Sequence, residues 1–276
     1  RMALDDNYLK KIKTLSDIEF MIPAIEAAEE FSNIYLKRYG DHFRVQLNLM
    51  LPPDPTLSKA WKTGLALDAS ASMKKVYGRR LLGNIPVEQA REYKKKGWLR
   101  RETQDGRKAY SLTRDAVDDA LEKGLVRLTP NVMDYLASEF IGYLAGQLDK
   151  TGDTDLIYWA GGNGTDIESI GEFNPRNLSS LTVDGPDNMR FGSASKLLPA
   201  VKYFVEQHAD TDLSLFVFIT DGHFDDLAKL KQYTLELAEA IADNKRHFVQ
   251  CILVGVGDEV NEQPLQELET LNVSTN

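Results

Sequence analysis

The sequence predicts an α/β protein: a doubly wound, mostly parallel sheet flanked by helices. Two observations carry that expectation. Four short runs are apolar at nearly every position, namely Gly64–Leu67, Leu156–Ala160, Leu213–Ile219 and Phe248–Val254. Strands that read this way on both faces belong in the middle of a parallel sheet covered by helices. The stretches between them are long enough to supply those helices, so strands and helices alternate along the chain.

Three of the covering helices have readable signals. Thr129-Pro130 offers an N-cap and a first-turn proline ahead of Asn131–Asp149. Lys196–His208 and Leu227–Asp243 have helical length and spacing. Residues 1–59 read as an N-terminal helical segment followed by an edge strand. Ser16-Asp17-Ile18-Glu19 fits a capping box, with helical spacing through Tyr35 and Pro23 in the first turns. Phe43–Met50 alternates like a half-buried strand before Pro52-Pro53-Asp54-Pro55 breaks the chain. The α/β domain is expected over residues 60–276.

Residues 74–123 interrupt the alternation and read as an insertion. A basic helical piece, Val87–Lys96, precedes Gly97-Trp98-Leu99-Arg100-Arg101, and a turn at Gln104-Asp105-Gly106 leads into Arg107–Leu112. Short strands around Asp-Gly make a hairpin, and Arg114–Glu122 adds a short helix. The order resembles a winged-helix unit.

Composition narrows the function classes. With 276 residues, 42% of them hydrophobic and 27% charged, the chain can bury a substantial core. Its net charge of −9 argues against general nucleic-acid binding. Residues 74–113, however, hold twelve Lys/Arg against four Asp/Glu, a net +8 that leaves −17 on the rest. Cys251 is the only cysteine, which excludes an internal disulfide and a cysteine zinc cluster. Its apolar surroundings predict a buried, inert thiol. No apolar run approaches the roughly 20 residues of a membrane span. The opening Arg1-Met2-Ala3-Leu4-Asp5-Asp6 lacks a signal-peptide core, so a cytoplasmic protein is expected.

In open α/β sheets, ligands sit at the carboxyl ends of the strands. The first apolar strand ends in Asp68-Ala69-Ser70-Ala71-Ser72 and the third in Thr220-Asp221-Gly222. Phe191-Gly192-Ser193-Ala194-Ser195 stands just before the helix that precedes the third strand. These loops offer two carboxylates and several hydroxyls. An all-oxygen set suits a hard cation, Mg²⁺ or Mn²⁺, with Ca²⁺ a further candidate.

Asp68-x-Ser70-x-Ser72 after a hydrophobic strand, with Ser195 four residues before Pro199 and with Asp221 in Thr-Asp-Gly, resembles the metal-ion-dependent adhesion site of von Willebrand factor A domains, whose fold is Rossmann-like. The family places a threonine where this chain has Ser195. The resemblance covers roughly residues 60–260. It implies that Ser70 and Ser72 bind the metal directly and Ser195 directly or through water. Asp68 and Asp221 then act largely through waters and hold the serine hydroxyls. A partner protein's exposed Asp or Glu completes the coordination. Gly124-Leu125-Val126-Arg127 is similar to a Gly-x-Val-Gln stretch of the bacterial tellurium-resistance-associated and copine-like subgroup, which implies a stress-resistance setting.

Each residue also has an ordinary reading. Ser195 can cap its own helix, and Thr220-Asp221-Gly222 can be a turn. His223 and Asp225 are either the rim of the site or solvated surface. Gly161-Gly162-Asn163-Gly164 lacks the Lys-Ser/Thr ending of a phosphate loop and is expected to be a turn. Trp98 and Tyr110 interleave with basic residues, as in nucleic-acid binders, although Trp98 also suits a small core within the insertion. The leading expectation is a non-enzymatic, metal-dependent protein-interaction module. Nucleic-acid binding through insertion 74–123 is one alternative. A phosphatase-like enzyme is the other, since an Asp ending the first strand suits nucleophilic chemistry. Haloacid-dehalogenase-like enzymes carry a second Asp two residues on, where this chain has Ser70, and no Gly-x-Ser-x-Gly elbow occurs.

Overall fold

The computed structural model describes residues 59–271 except 105, 106 and 259, and, nearer the start of the chain, residues 19–22, 34–39 and 42–46. The chain divides into two compact units, residues 1–56 and 57–276.

The first unit holds strands β1 (Glu19–Ile22), β2 (Ile34–Tyr39) and β3 (His42–Gln46), with β2 antiparallel to both neighbours. This corrects the helical expectation for its described residues. Glu19, read as closing a capping box, lies in β1, and Tyr35 pairs with Met21 and Gln46. Aromatic and β-branched residues such as Phe20, Ile34 and Tyr35 suit a pleated surface once partner strands exist. Pro23 and the rest of the expected helix lie outside the described residues.

The second unit is α/β, with a five-stranded sheet in the order β10–β9–β4–β11–β12. Strands β4 (Lys62–Asp68), β9 (Thr154–Gly161), β11 (Leu213–Thr220) and β12 (Phe248–Gly255) run parallel, and β10 (Asp166–Phe173) returns antiparallel on β9. All seven residues of β4 are buried, as are seven of the eight in β11, as the apolar runs require. Phe204 stacks on Phe216 at 4.7 Å between ring centroids, joining a helix to the sheet core. Chain direction across the sheet reverses at β4: β9 and β10 extend it one way, β11 and β12 the other. A crevice between two such neighbours, at their carboxyl ends, is where open α/β sheets bind ligands.

Strand β12 departs from expectation. It is an edge strand, and Phe248 and Cys251 are exposed residues on it, yet the atoms packed around the Cys251 sulfur push the thiol up to about 12, so it keeps the inert character its apolar neighbours predict. Among the described residues no strand pairs with its outer side, which leaves part of the apolar run facing outward.

Between β4 and β9 the chain makes its excursion. A 3-10 turn (Ala71–Lys75) leads to β5 (Leu81–Gly83), α1 (Val87–Lys95), β6 (Leu99–Gln104), β7 (Arg107–Leu112), α2 (Arg114–Glu122) and β8 (Val126–Leu128). The hairpin β6–β7 forms as expected, with Gln104 opposite Arg107. Its turn residues 105 and 106 lie outside the described residues. Strand β8 pairs antiparallel with β5 and closes the excursion, so Val126 belongs to this module although the expected insertion stops at residue 123. Tyr93, Ala116, Ala120 and Val126 form its own core, with Trp98 and Leu112 packed against them.

Helix α3 (Val132–Tyr143) follows. Its N-cap is Asn131, whose Oδ1 accepts from the Asp134 amide at 3.1 Å, rather than the expected Thr129. Thr129 is drawn instead toward β5, where its hydroxyl accepts from the Arg80 amide at 3.3 Å. Helices α4 (Leu198–Gln207), α5 (Leu227–Ala242) and α6 (Glu262–Glu269) complete the unit. No helix among the described residues is long and apolar enough to cross a membrane.

Candidate metal centre

Three loops meet at the carboxyl ends of β4 and β11. The first begins at Asp68, which is fully buried at the last position of β4. Its Oδ1 accepts from the Ser70 amide at 2.8 Å, which bends the chain back over the strand end. Its Oδ2 accepts from the Thr220 hydroxyl at 2.7 Å and from the Ser195 hydroxyl at 3.3 Å. One carboxylate thus ties together residues 127 and 152 positions away in sequence. The Asp68 carbonyl accepts from the buried Tyr77 hydroxyl at 3.0 Å, fixing the base of the 3-10 turn.

The second loop, around Ser195, is stitched to the first by backbone. Gly192 donates to the Ala69 carbonyl at 2.8 Å, and its own carbonyl accepts from Ala71 at 2.8 Å. A side chain at Gly192 would put its Cβ 1.8 Å from the Ala160 carbonyl oxygen, so only glycine permits this approach. The Gly161–Gly164 stretch is the β9–β10 turn, as expected. It holds the same loop through Gly162 N to Arg190 O at 2.9 Å and Ser193 N to Gly162 O at 2.9 Å.

The third loop supplies Asp221 and two further carboxylates. Asp221 Oδ1 accepts from the His223 amide at 3.1 Å, and the ring Nδ1 of the largely exposed His223 lies 3.2 Å away. Asp225 and the second loop bond reciprocally: Ser195 N donates to Asp225 Oδ2 and Asp225 N to the Ser195 carbonyl, both at 2.7 Å. Asp226 accepts from the amides of Leu197 and Leu198 at 3.0 Å each. It therefore satisfies the orphan donors at the start of α4 from a distant loop. Ser195 does not cap its helix. Its hydroxyl is turned to Asp68.

Of the five residues expected from sequence, Asp68, Ser70, Ser72 and Ser195 are joined by a chain of contacts, with Ser70 Oγ 3.0 Å from Ser72 Oγ. Asp221 stands one residue beyond Thr220 and close enough for its charge to act on Asp68. The Asp68 carboxyl stands raised to about 6: burial lifts it most, the Ser70 amide and the Thr220 hydroxyl pull it down, and the Asp221 charge adds to the rise. Sequence reasoning missed Thr220 as a site residue, placed Asp225 only on the rim or the solvated surface, and gave Asp226 no role. A hydroxyl ending an otherwise apolar strand was the available signal for Thr220. None existed for Asp226, because an Asp before Leu227 reads as the cap of α5.

The donor set fits a small hard cation. The 3.0 Å between the two serine oxygens lies at the long end of hydroxyl hydrogen bonds. It also matches adjacent corners of an octahedron with ~2.1 Å bonds, about 3.0 Å apart. Among the described residues no three His, Cys, Asp or Glu side chains gather as a metal cage. Any cation here would be held by hydroxyls and two carboxylates, which disfavours zinc. Comparison with protein-family models, with curated proteins and with solved structures finds no match to this chain.

Proposed function

We propose that the second unit is a metal-dependent protein-interaction module of the von Willebrand factor A type, gripping an acidic group of its partner through Mg²⁺ or Mn²⁺. The observation that supports this reading best is the triple engagement of buried Asp68 by Ser70, Ser195 and Thr220 at the point where the sheet reverses. Ser70 and Ser72 would hold the cation directly, with Ser195 and Asp221 beside it. Asp68 would keep the hydroxyls aimed. Bound there with few charged ligands, the cation would offer an open coordination position to a partner's Asp or Glu. A stress-resistance setting rests on the resemblance of Gly124–Arg127 alone.

Binding is favoured over catalysis by the same contacts. Both Asp68 oxygens already accept hydrogen bonds from protein donors, and a carboxylate so engaged is a poor nucleophile. The test is a thermal-shift and calorimetric titration of the full chain. Mg²⁺ or Mn²⁺ should raise the melting temperature, by about 2.7 kcal/mol of stabilisation at a hundredfold excess over Kd, and Zn²⁺ should not be preferred. Asp221→Ala should melt near wild type without metal and lose the response. A folded wild-type sample indifferent to every divalent cation at millimolar concentration overturns the reading.

A further inference from the structure

Beside the first candidate metal loop the surface opens into a cleft of about 810 Å³, whose lining includes Lys74, Tyr77, Arg79, Leu128, Asp184 and Phe191. The cleft is built from the metal centre's own backbone. Lys74 lies in the same 3-10 turn as Ser72, and Phe191 directly precedes Gly192, which is bonded to Ala69 and Ala71. Two residues along a 3-10 turn advance only about 4 Å. An extended peptide advances about 3.3 Å per residue. The candidate metal loop and the cleft are therefore joined through two short backbone segments, a span that one or two residues of an extended partner would match.

Its chemistry is mixed in a specific way. Leu128 is 49% exposed, and Phe191 lines the same cleft. Tyr77 backs Phe191 edge-on at 5.5 Å and makes that wall rigid. Two cations approach the Phe191 ring, Lys74 at 5.6 Å and Arg79 at 5.9 Å from the centroid. Arg79 is neutralised by Asp184 at 3.1 Å. Lys74 meets no carboxylate among the described residues. The cleft thus pairs an apolar wall with one uncompensated ammonium, in a stretch of chain that is itself strongly basic.

We infer that this cleft is the specificity pocket of the metal centre, and that it takes a large apolar or aromatic side chain placed one or two residues from the partner's metal-bound Asp or Glu. The inference rests on the metal-centre reading. The volume exceeds that of a single aliphatic side chain and falls in the range of ligand pockets. Aromatic anchors are the residues that most often carry interface energy in such clefts. Lys74 adds attraction for an acidic segment and acts mainly on orientation and association.

The experiment uses an array of capped hexapeptides, each with one Asp or Glu and every other position varied, probed with the full chain in Mg²⁺ and in chelator. Wild type should retain peptides with Phe, Tyr, Trp or Leu next to, or one residue beyond, the acid about tenfold better than those with Ala there, a difference of about 1.4 kcal/mol. Lys74→Glu should weaken retention of the acidic peptides and Leu128→Ser should erase the side-chain preference. Both side chains are exposed, and Mg²⁺ affinity by calorimetry should stay within about twofold for Leu128→Ser, which changes no charge beside the cation. Retention without side-chain preference, a preference unchanged in both variants, or no retention at all overturns the inference. Absent Mg²⁺ binding by wild type defeats the metal reading separately, and the cleft is then judged on whether the preference persists in chelator.

Discussion

The Thr220 hydroxyl donates to Asp68 Oδ2 at 2.7 Å across the seam between β4 and β11. The Thr220 hydroxyl oxygen in turn accepts from the Gly222 amide at 3.1 Å, so Thr220 both holds the carboxylate and shapes the loop carrying Asp221. Neither partner can be exchanged without leaving a buried polar group unpaired.

Thr220→Val keeps the shape and removes that hydroxyl. It should destabilise the metal-free protein by about 1–3 kcal/mol, the cost of leaving the Gly222 amide unsatisfied and Asp68 Oδ2 with only the longer bond from Ser195. Asp68→Ala should cost at least as much, because three donors lose their acceptor. Urea denaturation monitored by circular dichroism checks both. A Thr220→Val variant as stable as wild type would mean that water replaces the hydroxyl and that the seam contact is dispensable.

Gly192→Ala should separate the first two loops. The added methyl meets the Ala160 carbonyl oxygen at 1.8 Å, so backbone must move and the bonds to Ala69 and Ala71 must lengthen or break. The expected result is a loss of several degrees in melting temperature together with loss of any Mg²⁺ response, although no proposed ligand has changed. Ser193→Ala, one residue on and exposed, is the control that should do neither.

Acid should weaken the unit through Asp155. Burial alone would raise this carboxyl, but the His208 imidazole at 2.5 Å and the Lys62 ammonium outweigh it and hold Asp155 below the ordinary aspartate range. A depressed carboxyl contributes stability that is present above the unfolded value of about 3.9 and is lost as pH falls through the folded value. Denaturant midpoints should therefore drop as pH is taken below about 4. Asp155→Asn should start lower at neutral pH and fall less steeply. Parallel curves for the two proteins would remove Asp155 from the account.

Arg91, Lys94, Lys95, Arg100 and Arg101 are exposed on the excursion and meet no carboxylate among the described residues. On neighbouring α2, by contrast, Lys123 and Asp119 pair at 2.7 Å. Reversing Lys94, Lys95, Arg100 and Arg101 to Glu should slow association with a polyglutamate peptide and flatten its salt dependence, since charges beyond about 8–10 Å are screened near physiological ionic strength. Mg²⁺ affinity should not change. If wild type ignores the peptide but binds a DNA oligonucleotide with steep salt dependence, and the reversal abolishes that, the excursion is a nucleic-acid surface.

The α/β class was legible because burial on both faces of a strand leaves a continuous apolar run, a pattern that needs no knowledge of the partner strand. The three oxygen-bearing loops were legible for a related reason: strand ends announce themselves where such runs stop. Tertiary structure alone decided what those loops do to one another. Asp226 caps α4 rather than the adjacent helix, and Thr220 reaches Asp68 over 152 positions, because sheet order, not sequence distance, sets which ends meet. The first unit shows the same limit from the other side. Ile34–Tyr39 is compatible with helix or strand over so short a length, and it is a strand because β1 and β3 lie on either side to bond its backbone. Cys251 sits in a run as apolar as those of the inner strands, yet it is exposed, because β12 lies at the sheet's edge, and only the assembled sheet determines which strand is last.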